Sequence, residues 1–235
     1  MQRPHFIEDY IYHIFNRGVD KRDVFLDDQD YFRFIHNLFE FNDEEPALNV
    51  NYYFDPKTMT VSSRLAPKDS KPRKNLVEIM AFALMPNHFH LLVKQKSDGG
   101  ITKFMRKLGT GYTNYFNKKY ERSGVLFQGK FKAVMLDKQE HLQYLPTYIH
   151  LNPLGLNYGS RTSIDWRKGM KFLEEYRWSS FPDYIGKKNF PSVTQRDFIL
   201  EMFGGEKQYK NHTEEYLQES AKIAEFEALK EVLID

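Results

Sequence analysis

Hydrophobic and polar positions alternate in some stretches of the chain and follow a helical period in others. Residues 10–17, "YIYHIFNR", are rich in aromatic and β-branched side chains, which is typical of a strand. A polar connection follows, in which Asp28 or Asp30 is the expected N-cap of a helix through "YFRFIHNLFEF". Farther along, "LVEIMAFALM" predicts a buried strand, "MPN" a tight turn and "HFHLLVKQ" the strand that pairs back.

The second half of the pattern adds a helix, a short strand and a closing helix. The stretch "GGITKFMRKLGTGYTNYFNKKY" has helical spacing, and residues 131–137 predict a strand. A helix is expected over "KQEHLQYLPTYIHLNP", kinked at Pro146 or beginning near it because proline disrupts a helix interior. The βαββαβ part of this order predicts an α+β, ferredoxin-like fold, in which two helices cover one face of an antiparallel sheet.

Two segments stand apart from this pattern. Residues 43–74 are rich in Pro, Ser, Asp and Lys and are predicted to be an insertion. Residues 1–155 are therefore predicted to form the main domain around this insertion, and residues 156–235 a mostly helical addition that packs on it. Within the addition, Trp178 and Phe181 of "YRWSSFPDYIG" are expected to make that packing contact.

Composition narrows the class of protein. The chain has 235 residues and 41% hydrophobic side chains, which is ample for a packed core. It contains no cysteine, which excludes disulfide scaffolds, zinc–thiolate sites and cysteine nucleophiles and favours the cytoplasm. No apolar run approaches the length of a membrane span, and the N-terminal segment lacks the apolar block of a secretory signal. We therefore expect no association with a membrane.

The small net charge of +2 hides an uneven distribution. Residues 101–135 carry eight basic side chains against Glu121 alone, whereas residues 213–235 carry seven acidic side chains against two lysines. The first stretch suggests a surface that binds a polyanion, and the second an acidic helical tail. The alternative for both is a solvated helix face.

Two histidines lie one residue apart in "MPNHFHLLV". Alternation along a strand places His88 and His90 on one face, where they are either satisfied core residues or ligands of a metal ion. In "YIHLNP", Tyr148 and Asn152 stand four residues apart and share one side of a helix. Asn152 offers a carbonyl oxygen suited to Mg²⁺ or Mn²⁺, and a tyrosine hydroxyl can attack a phosphorus that such an ion polarises.

Four segments in this order, "MPNHFHLLV", "YTNYFNKKYERSGVLFQGKFKAV", "YIHLNPL" and "YRWSSFPDYIG", resemble the REP-associated tyrosine transposases. These belong with the single-tyrosine HUH transposases of the smallest insertion sequences. The resemblance implies a metal-dependent DNA endonuclease and strand-transferase that cleaves single-stranded or hairpin DNA. It implies that His88 and His90 hold the metal, that Tyr148 attacks the phosphate to leave a 5′-phosphotyrosine, and that Asn152 falls where insertion-sequence relatives carry a glutamine ligand.

The resemblance also gives the basic stretch a role. Asn16, Arg17 and Gly18 match a short family motif after the first strand, and the resemblance implies that they lie near the nucleic acid. Eight basic residues are expected to follow the DNA backbone, namely Lys103, Arg106, Lys107, Lys118, Lys119, Arg122, Lys130 and Lys132. Tyr112 or Tyr115 is available for stacking on bases. We expect a monomer rather than a dimer, acting on DNA in the nucleoid.

Two other functions compete with this interpretation. A DNA-binding module of the same fold would keep the basic surface without the chemistry, although the histidines and the tyrosine occur together here. A metallohydrolase would use the His-x-His pair to bind zinc and activate water. It needs further His, Asp or Glu ligands, and the sequence offers none at an interpretable spacing apart from the position of Asn152.

Overall fold

The computed structural model describes residues 3–46, 52–55, 60–63, 73–158 and 165–219. A four-stranded antiparallel sheet has the strand order β4-β5-β1-β6, and a separate hairpin pairs β2 with β3. The strands are β1 (Ile11–Arg17), β2 (Tyr52–Asp55), β3 (Thr60–Ser63), β4 (Val77–Met85), β5 (His88–Gln95) and β6 (Lys132–Met135). The hairpin lies inside the predicted insertion, most of which falls outside the described residues.

Eight α-helices occur in the described part of the chain, besides one 3₁₀ helix (Val19–Lys21). They are α1 (Asp28–Glu40), α2 (Gly100–Lys119), α3 (Gln139–Leu151), α4 (Leu154–Tyr158), α5 (Trp166–Glu175), α6 (Phe181–Tyr184), α7 (Asp197–Phe203) and α8 (Glu206–Gln218). The order β1-α1-β4-β5-α2-β6 and the order of strands in the sheet confirm the predicted ferredoxin-like fold. Among the described helices, none combines the length and the apolar character that a membrane crossing requires.

One face of the sheet packs against α1 and α2. Tyr12 and Ile14 of β1 lie beside Phe89 and Leu91 of β5 in this core. The N-cap of α1 is Asp27, whose carboxylate accepts a hydrogen bond from the backbone amide of Asp30 (3.1 Å). The prediction of Asp28 or Asp30 as the cap was therefore wrong, by one residue or by three.

The opposite face of the sheet packs against α3 and the C-terminal helices. Leu92 of β5 lies in this second core together with Leu145 and Ile149 of α3 and Tyr209 of α8. Helix α3 begins at Gln139 and continues through Pro146, so the alternative of a helix that begins near the proline was wrong. The sheet is thus covered on both faces, and its second face is the one that carries His88 and His90.

The segment 176–184 fastens the C-terminal addition to the free edge of β4. The backbone amide of Leu84 donates to the carbonyl of Trp178 (2.9 Å), which pairs this segment with the edge strand. The indole of Trp178 stacks on Tyr31 with ring centroids 4.5 Å apart, whereas Phe181 enters the core beneath α3. Trp178 and Phe181 therefore have the packing role expected of them. The acidic tail beyond residue 219 lies outside the described residues.

Candidate active site and nucleic-acid interface

His88 and His90 share the face of the sheet that packs against α3. In the β1–β5 register, Arg17 lies opposite His88 and Phe15 opposite His90. The two imidazole rings are perpendicular, with centroids 5.2 Å apart. His88 is half-buried at the start of β5, and His90 is buried. The strand register therefore confirms the prediction that both rings lie on one face of the sheet.

A third histidine, His13 of β1, completes this cluster and was missed by the sequence reasoning. Its Nε2 lies 2.8 Å from Nδ1 of His90, and the two rings stack with centroids 5.0 Å apart. His13 is fully buried, and burial lowers its pKa to about 3, so the ring is neutral. The signal was present, because the ferredoxin-like order makes β1 the neighbour of β5 and alternation sends His13 to the same face.

The Nδ1 atom of each predicted metal ligand, His88 and His90, has a hydrogen-bond partner. Nδ1 of His88 lies 2.6 Å from the side-chain oxygen of Asn87, and a carbonyl oxygen accepts, so the ring donates from Nδ1. This arrangement leaves the lone pair of His88 on Nε2. A partner on one nitrogen of a metal-binding imidazole fixes the tautomer and orientation of the ring, and Asn87 supplies one for His88.

Tyr148 of α3 lies edge-on against two of the histidines. Its ring centroid is 6.0 Å from that of His90 and 6.2 Å from that of His13. The tyrosine is fully buried. The ring centroid of Tyr144, one turn earlier, lies 6.0 Å from that of Tyr148, and the centroid of Tyr216 of α8 lies 6.0 Å from that of Tyr144, so the three rings form a row of neighbours.

Asn152 follows the last turn of α3 and is almost fully buried. Its side-chain NH₂ donates to the backbone carbonyl of Tyr148 (3.0 Å), so the two predicted residues lie one helical turn apart. Within the described residues, no group of three or more His, Cys, Asp or Glu side chains is arranged to hold a metal ion. A third protein ligand beside His88 and His90 would therefore be an amide such as Asn152.

Asn16 and Arg17 are the last two residues of β1 and do not follow the strand as predicted, and they face opposite sides of the sheet. Arg17 points to the histidine side, opposite His88, and Lys132 of β6 joins it there, with Nζ 5.9 Å from the ring of Phe15. Asn16 points to the other face and donates from its side-chain nitrogen to the carbonyl of Gly129 (3.4 Å). Arg17 and Lys132 thus contribute positive charge to the face that carries the histidines.

The eight basic residues of the predicted DNA-binding set divide into three groups. Three of them bond to other residues of the protein. Lys119 pairs with Asp27 and Asp30 (2.7 and 2.8 Å). Lys107 donates to the carbonyl of Glu45 (2.7 Å), and Arg122 donates to the side chain of Asn117 (2.9 Å). Four are exposed, namely Lys103, Arg106, Lys118 and Lys130. The eighth is Lys132, on the histidine face.

The two tyrosines proposed for base stacking have different surroundings. Tyr112 is fully buried between α1 and α2 and donates from its hydroxyl to the carbonyl of Val24. Neither face of its ring is open, so its prediction as a stacking residue was wrong; its position in the apolar stripe of α2 decides its role. Tyr115 is half-buried, donates to Asp30 (3.0 Å), and burial raises its pKa to about 12.

Comparison with known proteins places this geometry in context. Residues 68–152 match the family model described as "Transposase IS200 like". No curated protein matches the chain. A solved structure described as "Structure of the REP associates tyrosine transposase bound to a REP hairpin" matches with 14% identity and a TM-score of 0.50, covering 84% of this chain and 92% of the other.

The two comparisons support each other. The matched segment contains both histidines, Tyr148 and Asn152, and at 14% identity the structural match is evidence for the fold. The resemblance predicted from the four sequence motifs is therefore confirmed: residues 68–152 match the IS200-like transposase model, and the chain has the fold of the solved REP-associated tyrosine transposase.

Proposed function

We propose that this protein is a metal-dependent DNA endonuclease and strand-transferase of the single-tyrosine HUH type. The observation that carries the proposal is the position of the Tyr148 ring, 6.0 Å from the ring of His90. Tyr148 lies on α3 and His90 on β5, so two residues far apart in the chain come together on the second face of the sheet. This convergence is the arrangement that cleavage by a tyrosine beside a histidine-bound ion requires.

The donor set fits a divalent ion. His88 is oriented through Nδ1 by Asn87 and His90 through Nδ1 by His13, so each ring would use Nε2 as the ligand atom. The carbonyl oxygen of Asn152 would be the third ligand. Imidazole and amide oxygen together suit Mg²⁺ or Mn²⁺. When bound, the ion would make the phosphorus more electrophilic and stabilise the charge that develops on the phosphate oxygens.

The chemistry assigned to the chain itself is a transesterification. The hydroxyl oxygen of Tyr148 forms a bond to the phosphorus, and the bond between the phosphorus and the 3′-oxygen breaks. The phenol loses its proton, the departing oxygen gains one, and the products are a 5′-phosphotyrosine and a free 3′-hydroxyl. Arg17 and Lys132, which share this face, are suited to hold phosphates of the bound strand.

Access to Tyr148 requires a movement of side chains. The tyrosine is buried, its ring neighbours that of Tyr144, and Tyr144 in turn neighbours Tyr216. A phosphodiester therefore reaches the hydroxyl only after neighbouring side chains move, and we expect Tyr144 to be the ring that moves. Displacement of one half-buried ring is a smaller change than unfolding α3, whose other contacts remain in place.

The proposed substrate is single-stranded or hairpin DNA. The solved protein that shares this fold is bound to a REP hairpin. In this chain, four exposed cations on α2 and the loop after it offer contacts to phosphates, and such contacts fix position without reading sequence. We expect the protein to act as a monomer on DNA in the nucleoid.

A covalent-adduct assay tests the proposal. The protein is incubated with a 3′-labelled hairpin oligonucleotide that has a single-stranded flank, with Mn²⁺ or with a chelator, and separated under denaturing conditions. We expect a labelled protein band with Mn²⁺ only, abolished in Tyr148→Phe. The matched control Tyr144→Phe keeps its ring and should still form the adduct.

Two other results would contradict the proposal. A cleaved product with a 5′-phosphate and no protein attached would indicate a metallohydrolase. The described residues argue against that function, since they supply no cluster of three ionisable metal ligands. Binding of the hairpin without cleavage under any condition would indicate a DNA-binding module that has lost the chemistry.

A further inference from the structure

His150 of α3 is a fully buried polar residue that no step of the proposed chemistry uses. It lies two residues after Tyr148, and side chains at this spacing point to different sides of a helix. The ring of Tyr148 lies against His90, whereas the ring of His150 lies against α6 and α8. The same turn of α3 therefore contacts the candidate active site on one side and the C-terminal addition on the other.

This turn of α3 has less backbone support than the turn of a regular helix. Pro146 has no N–H, so it cannot donate to the carbonyl of Leu142 as other residues of a helix interior do. The helix then ends at Leu151, less than two turns later. Contacts from outside the helix therefore contribute more to the position of Tyr148 than they would in an uninterrupted helix.

Both ring nitrogens of His150 have hydroxyl partners in the C-terminal addition. Nδ1 lies 2.7 Å from the hydroxyl of Tyr209, and Nε2 lies 2.7 Å from Oγ of Ser180. Ser180 Oγ also accepts from the backbone amide of Phe82 (2.9 Å) and lies 3.2 Å from the carbonyl of Phe82. All these groups are satisfied when Tyr209 donates to Nδ1, Nε2–H donates to Ser180, and the hydroxyl of Ser180 donates to that carbonyl.

Ser180 connects His150 to the strands that carry the predicted metal ligands. The backbone amide of Ser180 donates to the carbonyl of Phe82 in β4 (3.0 Å), so the backbone of Ser180 is itself fixed to the sheet. In the β4–β5 register, the next residue of β4, Ala83, lies opposite His90. His150 therefore links α3 to the same pair of strands that positions His90.

The surroundings of this network are aromatic. The ring of His150 lies 4.7 Å from that of Tyr184 and 5.5 Å from that of Phe181, both in the second core. A fully satisfied polar network inside a core specifies one arrangement of the groups that it joins, which apolar packing alone does less well. The effect expected of His150 is therefore a defined orientation of α3 in addition to stability.

We propose that His150 is a positioning residue for the nucleophile: its two hydrogen bonds fix the rotation of α3 about its axis and thereby the place of the Tyr148 hydroxyl. This inference rests on the proposed function, since it concerns the placement of the proposed nucleophile. Tyr148 has a long side chain, so a small rotation of the helix displaces its hydroxyl farther than its backbone. A misplacement of about 1 Å at a reacting group can cost about 10²-fold in rate.

The first test compares two buried tyrosines whose rings contact His150. The hydroxyl of Tyr209 is bonded to Nδ1, whereas that of Tyr184 donates to the carbonyl of Met80 (2.8 Å). Tyr209→Phe and Tyr184→Phe each remove one buried hydroxyl and keep the ring. At saturating hairpin and Mn²⁺, we expect Tyr209→Phe to form the adduct about tenfold more slowly and Tyr184→Phe at the parent rate. The affinity for the hairpin and the Mn²⁺ concentration for half-maximal rate should be unchanged in both variants.

The second test alters His150 itself, at a temperature at which every variant is folded. His150→Phe removes both hydrogen bonds and should slow adduct formation about 10²-fold. His150→Gln supplies an amide N–H that can donate to Ser180, and it should recover part of the rate.

A third measurement needs neither metal nor DNA. In protein with ¹³C-labelled tyrosine rings, the NMR signals of Tyr148 are identified as those that disappear in Tyr148→Phe. They should shift in His150→Phe, because the ring of Tyr148 then moves relative to His13 and His90, and they should keep their positions in Tyr184→Phe.

Three results overturn the assignment of His150. These are parent rates in both tyrosine variants, an equal loss of rate in both, and signals of Tyr148 that do not shift in His150→Phe. If one of them is found while the parent protein forms the adduct, the proposed function stands and His150 serves folding only. A parent protein that forms no adduct defeats the proposed function and this inference with it.

Discussion

Nε2 of His13 lies 2.8 Å from Nδ1 of His90, and both rings are buried between β1, β5 and α3. A neutral imidazole carries one N–H, so one ring donates and the other accepts. If His90 binds an ion through Nε2, its N–H is on Nδ1 and His13 is the acceptor. His13 is then a positioning residue that fixes the tautomer and orientation of His90.

The first prediction concerns this hydrogen bond. His13→Phe removes the acceptor, and we expect the Mn²⁺ concentration for half-maximal adduct formation to rise about 10- to 100-fold, as for other partners of metal-binding histidines. His13→Gln supplies an amide oxygen and should recover part of the loss. A merely structural role would reduce thermal stability in both variants without moving the Mn²⁺ dependence, and that result would contradict the prediction.

The second prediction separates two adjacent lysines. Lys119 pairs with Asp30, whose side chain is fully buried, whereas Lys118 is exposed. Lys119→Ala leaves a buried carboxylate without its cation and should lower the free energy of unfolding by about 3 kcal/mol. Lys118→Ala should leave stability unchanged, weaken DNA binding and reduce its dependence on salt.

Urea unfolding and DNA binding at two salt concentrations check this pair of variants. The two substitutions remove the same charge from neighbouring positions of α2, so each is the control for the other. Equal stability of the two variants would show that the Lys119–Asp30 pair contributes little to folding.

The third prediction is a pH dependence of stability. His150 of α3 is buried, with Nδ1 2.7 Å from the hydroxyl of Tyr209 and Nε2 2.7 Å from that of Ser180. Burial lowers its pKa to about 3, from the ordinary value of 6.5 for a histidine. Between these two values the unfolded chain binds a proton that the folded protein does not, so stability falls as the pH is lowered from 6.5 toward 3.

Comparison with His150→Phe isolates this contribution. The parent protein should be the more stable at pH 7, and the difference in free energy of unfolding should shrink by about 1.4 kcal/mol for each pH unit below 6.5. Urea unfolding of metal-free protein at three pH values gives this slope. A difference that stays constant would show that His150 takes up its proton in the folded state.

The fourth prediction concerns the two aromatic rings next to Tyr148 in this row, Tyr144 and Tyr216. Tyr216→Ala removes the contact that holds Tyr144 from α8, and we expect the rate of adduct formation to rise several-fold because Tyr144 then moves aside more readily. Phe198→Ala on the exposed side of α7 is the control, since that ring is 52% exposed. An unchanged rate in Tyr216→Ala would show that another step limits access.

The sequence predicted the sheet and part of the candidate site because short-range patterns determine both. Alternation in "HFHLLVKQ" placed His88 and His90 on one face, and the four-residue spacing in "YIHLNP" placed Asn152 one turn after Tyr148. Both patterns act over a few residues of one element. The βαββαβ order then supplied the neighbours of each strand.

The errors arose where tertiary contacts override local pattern. Tyr112 lies in a basic helix but on its apolar stripe, so packing against α1 removes it from the surface. Lys119 belongs to a charge cluster in the sequence, yet its partner Asp30 is 89 residues away in the chain. The contact of His13 with His90 follows only from the pairing of β1 with β5. Local composition gives no information about these long-range partners.

The reversal of direction between Asn16 and Arg17 has a mechanical consequence. A nucleic-acid strand that contacts both residues would have to pass around this end of β1, because their side chains lie on opposite faces of the sheet. A single-residue insertion before Asn16 would exchange the two side chains between faces. Arg17 would then leave the face that carries His88 and His90, so the length of β1 decides which side chain faces the candidate active site.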